Sequence, residues 1–278
     1  VKKQKKLLWL ADYNTKTHFG GAQKTDKAMI DNAKGFDVDL VTPEEFKGIK
    51  GYDCAVLANI QEFELGQIEA VVRIPYVVYL HDFDVVNSKE LAWLLAYSEA
   101  NIFLSPTHLV ESERLLGLQI KHEIINPSID TNLFKEKKLK RENTVMWVGN
   151  ICPEKGIDRY ISFVKARPGM IGLVFGDGAL SEINKLKAVW NIEFKGVVDH
   201  KELAKEYQKA RLFFHYPLLI ETFGRAVIEA YLCGCELVVN DNIGALSYNW
   251  NFQNKQEIKE KLEDSPERFW KKLKKVFN

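Results

Sequence analysis

The sequence predicts two α/β domains, each built on a parallel sheet. Three observations carry this prediction: short apolar runs alternate with helical patterns along the chain, a charged stretch breaks the alternation near its middle, and 278 residues suit two domains of common size. In the first half the apolar runs are KLLWLA (6–11), FDVDLV (36–41), DCAVLAN (53–59), YVVYLHD (76–82), NIFLS (101–105) and EIIN (123–126), with helical periodicity at 22–33, 88–99 and 107–116. KEKKLKREN (135–143) follows, charged and with Leu139 as its one apolar anchor, as expected of a linker. The alternation resumes with TVMWVGN (144–150), IGLVFGDG (171–178), IEFKGVV (192–198), LFFHY (212–216) and ELVVND (236–241), between helical segments near 156–166, 180–189, 200–210 and 223–233. The expected division is a first domain over 1–139, a second over 140–250, and C-terminal helices over 251–278. The two halves share architecture without sharing sequence.

Composition narrows the function classes. Hydrophobic residues at 46% and charged residues at 28% can build sizeable cores. A net charge of +1, from 39 Lys and Arg against 38 Asp and Glu, lacks the basic excess of a nucleic-acid binder. Cys54, Cys152, Cys233 and Cys235 form no C-x-x-C pair, so the simplest expectation is a reducing, cytoplasmic compartment without a cysteine metal site. No apolar run approaches the ~20 residues of a membrane span, and VKKQKKLLWLADYN turns polar too soon for a signal peptide.

In open α/β sheets ligands bind beyond the carboxyl ends of the strands, so the residues after each run are the candidates. NTKTHFGGAQKTDKA places Gly20 and Gly21 at a helix entrance, where backbone N–H groups could meet an anion or the pair could only form a turn. His81 and Asp82 end the fourth run, as catalytic or as structural hydrogen-bonding groups. GNICPEKGIDRY sets Lys155 and Gly156 at a helix entrance, suited to phosphate or simply solvated. Gly176, Asp177 and Gly178 form a turn that is not a dinucleotide fingerprint, because no G-x-G-x-x-G follows a strand.

HYPLLIETFGRAVIEAYLCGCELVVND (215–241) carries Glu221 and Glu229 within apolar surroundings. On one continuous helix they would stand ~12 Å apart along the axis and roughly 80° apart around it, too far for a dyad. A helix starting near Phe223 instead leaves Glu221 in the preceding loop and Glu229 on the second turn, with free N–H groups around Phe223 and Gly224 between them. That suits an elongated ligand with hydroxyls at both ends and phosphate in the middle. The plain alternative makes Glu221 a helix cap and Glu229 a solvated residue, against which Glu229 sits among Ala226, Val227, Ile228, Ala230, Tyr231 and Leu232.

ETFGRAVIE resembles the E-x7-E motif of retaining GT-B glycosyltransferases, and the chain resembles glycosyltransferase family 4 over most of its length. GGAQ resembles the family's N-terminal glycine loop, PYVVYLHDFD the strand ending in the His-Asp pair, and IINPSIDTNLF the segment closing the N-terminal domain. VGNICPEKGIDRYI resembles the donor-phosphate loop, and FGDG with FKGVVDHKELAKEYQKARLFFHYPLLIETFG the nucleotide-binding core. The resemblance implies two Rossmann-like domains facing a central cleft, and metal-independent transfer of a sugar from a nucleoside-diphosphate sugar to a carbohydrate or lipid-linked acceptor. It implies that Glu221 holds donor-sugar hydroxyls and Glu229 the ribose, with Phe223 and Gly224 offering backbone contacts and Lys155 neutralising the diphosphate. It further implies His81 near the transferred sugar, Gly21 near the phosphates, Gly176 and Gly178 in the nucleotide core, and Val197 and Val198 near the base. Asn150 stands where the family commonly has an Arg, and Arg225 either supplies that cation or faces solvent. DNIGALSYNW shortens the usual glycine-rich segment and lacks its following glutamate. An epimerase or phosphorylase on the same architecture, and a sugar- or nucleotide-binding protein without turnover, are the rival expectations.

SPERFWKKLKKVFN closes the sequence as a basic amphipathic helix with Ser265 as N-cap and Pro266 at its first position. Its apolar face is expected to pack on the N-terminal domain, or else to meet an anionic membrane surface.

Overall fold

A computed structural model describes residues 4–13 and 20–277, so the polar loop expected at 14–19 lies outside the described residues. Packing divides the chain into one unit of residues 1–128 with 261–278 and a second of residues 129–260. The first unit runs β1 Lys5–Ala11, α1 Gly21–Asp31, β2 Phe36–Val41, β3 Cys54–Asn59, α2 Leu65–Val71, β4 Tyr76–Tyr79, α3 Asp84–Asn87, α4 Leu94–Tyr97, β5 Ala100–Phe103, α5 Pro106–Leu116 and β6 His122–Ile124. The second runs β7 Glu142–Val148, a 3-10 turn at Pro153–Lys155, α6 Ile157–Lys165, β8 Ile171–Phe175, α7 Leu180–Lys187, β9 Ile192–Gly196, α8 His200–Lys209, β10 Ala210–His215, α9 Arg225–Leu232 and β11 Glu236–Val239. Then come a 3-10 turn at Gly244–Ser247, α10 Lys255–Glu263, which spans the division, and α11 Ser265–Phe277 in the first unit.

Both sheets are parallel, ordered β2-β1-β3-β4-β5-β6 and β11-β10-β7-β8-β9. Parallel strands buried on both faces read as continuous apolar runs, and Leu7 to Ala11 and Cys54 to Ala58 are buried without alternation. The strand order reverses between β1 and β3 in one sheet and between β7 and β10 in the other. These switch points, where neighbouring connections leave to opposite faces, open a crevice at the carboxyl ends of the strands.

Three expectations change. The helix expected at 88–99 is cut to α4, with turns before it, where the Trp93 indole donates to the Glu90 carbonyl at 2.7 Å. The charged stretch 135–143 is anchored: the Arg141 guanidinium donates to the carbonyls of Tyr207, Ala210 and Cys233 at 2.6–3.0 Å. Phe134 just before it packs on Tyr207 and His200, so these residues belong to the second unit instead of closing the first. The residues after 250 likewise divide, with α11 alone lying wholly in the first unit. There Phe269 and Trp270 stack around Trp9, and the Trp270 indole donates to the Met29 carbonyl at 2.8 Å. The apolar face that a membrane surface would receive is therefore occupied by packing, with Phe269, Trp270, Leu273 and Phe277 all buried.

Candidate active site

The switch point of the second unit gathers chemistry from two loops. After β7 the chain passes Gly149 and Asn150 into the 3-10 turn that ends in Lys155; after β10 it passes Tyr216 and Pro217 to Glu221. Gly156 lets these loops meet: at φ 84° a side chain is strained, and a Cβ there would stand 2.2 Å from the Tyr216 carbonyl oxygen. The amide of Leu218 donates to the Glu154 carbonyl at 2.8 Å and seals the approach. Lys155 Nζ then donates to Glu221 Oε1 at 2.6 Å. His215, the last residue of β10 and 3% exposed, brings Nε2 to 2.8 Å from the same oxygen, close but turned off hydrogen-bond alignment. Burial pulls the Glu221 carboxyl upward, yet His215 and Lys155 outweigh it and lower the carboxyl to about 2. Glu221 is thus an ionised carboxylate at any physiological pH.

Glu221 does not cap the helix. It pairs as a single bridge with Ile243, its amide donating to Asn242 and its carbonyl accepting from Gly244. The helix starts at Arg225, close to Phe223 as expected and with Glu229 on its second turn; Phe223 is buried edge-on to Tyr248 and Trp250, its carbonyl accepts from Ala245, and Gly224 takes a left-handed N-cap conformation at φ 84°. As N-cap, Gly224 brings no side-chain hydrogen bond to α9. Glu229 is buried on α9 at 4% exposure, with Arg225 Nη2 at 3.7 Å. Arg225 therefore faces its own helix rather than solvent. Tyr248 and Trp250 stack at 4.4 Å in the segment that replaces the usual glycine-rich one.

Gly176 and Gly178 are explained by backbone packing. A Cβ on Gly176, at φ 133°, would lie 1.8 Å from the Gly149 oxygen, and one on Gly178 2.3 Å from the Ile151 oxygen. The Gly-Asp-Gly turn thus supports the loop after β7, with Ile151 N donating to Asp177 O at 2.7 Å. Asn150 is exposed on that loop, Val197 is 73% exposed after β9, and Val198 beside it is half-buried.

In the first unit Gly21 is the exposed first residue of α1. His81, just past β4, is buried, and its Nε2 lies 2.7 Å from Asp26 Oδ1 on α1. The second oxygen of Asp26 accepts from Tyr13 Oη at 2.5 Å and Trp9 Nε1 at 3.2 Å. Burial and the adjacent Asp26 push the Tyr13 phenol far up, so it remains a donor. His108 on α5 grips the backbone beside His81. Its Nε2 donates to the Asp82 carbonyl at 3.0 Å while its Nδ1 accepts from Leu104 N, and burial drives it down to about 3, keeping it neutral. Around this point Asp12, Glu62, Asp82 and Asp84 crowd together; burial first, then mutual repulsion, raises Asp12, and burial raises Asp82. Of the residues in these two clusters, the sequence singled out His81, Lys155 and Glu221 and did not single out Asp26, His108 or His215. A carboxylate on the apolar side of α1, between Thr25 and Met29, was the available signal for Asp26.

Two Rossmann-like parallel sheets, one with a cation-bound glutamate at its switch point, define a chain of the GT-B glycosyltransferase type. Solved structures of that type superpose on nearly all of it. Anabaena Alr3699/HepE, in complex with UDP and glucose, matches at a TM-score of 0.66 and 17% identity over 99% of this chain and 93% of its own. A sucrose-phosphate synthase from Thermosynechococcus elongatus matches at 0.72 and 15% identity, over 99% and 95%. The model of the glycosyl transferases group 1 family matches residues 128–278, more than half of the chain, and the protein belongs to that family. A 2-deoxystreptamine N-acetyl-D-glucosaminyltransferase of Niallia circulans is 30% identical over 186 residues, which are 60% of this chain and 47% of that enzyme. The match spans about half the length of that relative. No helix among the described residues is long and apolar enough to cross a membrane.

Proposed function

We propose that the protein is a retaining, metal-independent glycosyltransferase of family 4 type that moves a sugar from a nucleoside-diphosphate sugar to a small acceptor. The observation that carries this is Glu221, held ionised by Lys155 and His215 at the switch point of the second unit. An ionised, partly desolvated carboxylate accepts hydrogen bonds from sugar hydroxyls, and an ammonium at 2.6 Å from it can turn to a diphosphate. Transfer makes a nucleoside diphosphate leaving group, so stabilising phosphate charge is the main requirement. Lys155 and the N-terminus of α9 supply positive potential for it, in the role that a metal ion takes in other folds. Glu229 takes the ribose hydroxyls, Phe223 and Gly224 offer backbone contacts, Gly21 and Asn150 border the phosphates, Gly176 and Gly178 shape the nucleotide loop, and Val197 and Val198 border the base. His81 serves the transferred sugar.

The crowded carboxylates of the first unit favour an acceptor bearing amino groups. Asp12 and Asp82 are raised first by burial and then by neighbouring carboxylates, and a cationic polyol would favour their charged forms. The Niallia circulans relative, named for an aminocyclitol acceptor, agrees. A lipid-linked acceptor remains open to the basic side of α11, where Lys271, Lys274 and Lys275 are exposed.

Calorimetric titration without added metal, using UDP, GDP, ADP and their sugar conjugates, tests the donor site. One nucleotide series binds; Lys155→Ala weakens diphosphate and conjugate alike, and Glu221→Gln weakens the conjugate alone. Free diphosphate released only with an amino-polyol acceptor completes the case against the epimerase, phosphorylase and binding-protein alternatives. A folded protein that binds no nucleotide sinks the proposal.

A further inference from the structure

Asp26 is fully buried on α1, and two side-chain donors, the Trp9 indole and the Tyr13 phenol, share one of its oxygens. An indole N–H can only donate, and the Tyr13 phenol keeps its proton, so Oδ2 accepts twice, at 3.2 and 2.5 Å. Oδ1 is left facing His81 Nε2 at 2.7 Å. A carboxylate committed as acceptor on one oxygen and set against an imidazole on the other selects the ring nitrogen that carries the proton. Meanwhile the backbone one residue beyond His81 is held, because neutral His108 donates to the carbonyl of Asp82. The Tyr79 ring lies 4.6 Å from the imidazole, centroid to centroid, and limits its tilt. The ring is therefore fixed in position by packing and in tautomer by one carboxylate.

We propose that Asp26 is a positioning residue for the transfer reaction: through its Oδ1 it holds His81 in the Nε2–H tautomer and fixes the plane of the ring. The proposal rests on the role given to His81 above, and it adds an element, α1, that neither the glutamate motif nor the phosphate loop involves. Asp26 itself touches no substrate. Its effect reaches the reaction through the ring it orients.

The test uses the full chain, labelled with nitrogen-15, and long-range proton–nitrogen correlation of the imidazoles, with His81→Gln assigning the signal. In the wild type the His81 proton sits on Nε2. In Asp26→Asn, whose amide can donate to the ring, the tautomer shifts and kcat falls at least about 10-fold, the range seen when an outer partner of a functional histidine is lost. Affinity for free nucleotide stays unchanged. Tyr13→Phe removes a donor from the same carboxylate and so lowers stability, yet leaves the His81 tautomer in place and lowers kcat less than Asp26→Asn does. A wild-type proton on Nδ1 overturns the proposal, even if Asp26→Asn does not fold. So does a folded Asp26→Asn with unchanged tautomer and kcat, or a Tyr13→Phe that loses as much kcat as Asp26→Asn. Should the wild type transfer no sugar, the transferase assignment fails alone, and the tautomer in Asp26→Asn still decides whether Asp26 governs His81.

Discussion

His81 and His215 lie at the carboxyl ends of strands in different sheets, both buried, and each meets one carboxylate at under 3 Å. Asp26 is enclosed by three side-chain groups of its own unit and offers nothing outward. Glu221 has Lys155 as well as the His215 ring on the same oxygen and keeps some exposure, with Lys155 more exposed still. A saturated carboxylate orients its neighbour. A carboxylate held by a half-exposed lysine is set up to exchange that contact for a ligand.

If that contrast is right, the largest loss follows from Glu221→Gln: transfer falls by about 10²–10³ in kcat, read by diphosphate release, while free nucleotide binding persists. Loss of free nucleotide binding as well would make Glu221 a support of the whole donor site instead of a contact to the sugar. Next in size are packing tests that separate the units. Trp270→Ala should cost about 3–5 kcal/mol in the first unit, seen as lowered thermal stability with the nucleotide titration of the second unit unaltered. Gly176→Ala, driving a Cβ toward the Gly149 oxygen at 1.8 Å, should cost roughly 2–4 kcal/mol and also weaken nucleotide binding. A folded Gly176→Ala with normal binding would remove the turn from the site's support.

The smallest effect is a pH dependence. Glu221 is lowered from its ordinary 4.5 to about 2, so its contribution to stability is complete above about 4.5 and is lost as pH falls through that range toward 2. Urea unfolding of the wild type and Glu221→Gln should differ by up to about 3 kcal/mol at pH 7 and converge near pH 2. A gap that stays constant with pH would mean that the ion pairs do not hold the carboxylate.

Apolar runs placed the strands, most plainly where parallel strands buried on both faces leave unbroken apolar signals, as in β1, β3 and β4; β2, β6 and β9, partly exposed, left shorter or alternating runs. They could not place α2, seven residues starting at a Glu64–Gln67 capping box, because so short a helix has little period to read. The stretch 135–143 looked like a linker because composition records its charges but not where Arg141 sends its hydrogen bonds. Lys155 and Glu221 were legible from spacing. Asp26 was not, since a carboxylate on a helix is normally a solvated residue and only the fold turns this one onto Trp9, Tyr13 and His81.

The return of α11 to the first sheet also orders events during synthesis. Residues 129–260 emerge after β1 to β6 but before α11, so at ribosomal speeds the first unit waits on the order of ten seconds for its last helix while the second is being made. Throughout that interval Trp9, Phe36 and Tyr79 wait without the aromatic partners Phe269, Trp270 and Phe277. The half of the protein that begins the chain is the half that is finished last, and a nascent chain stalled before Ser265 would present that aromatic face to chaperones.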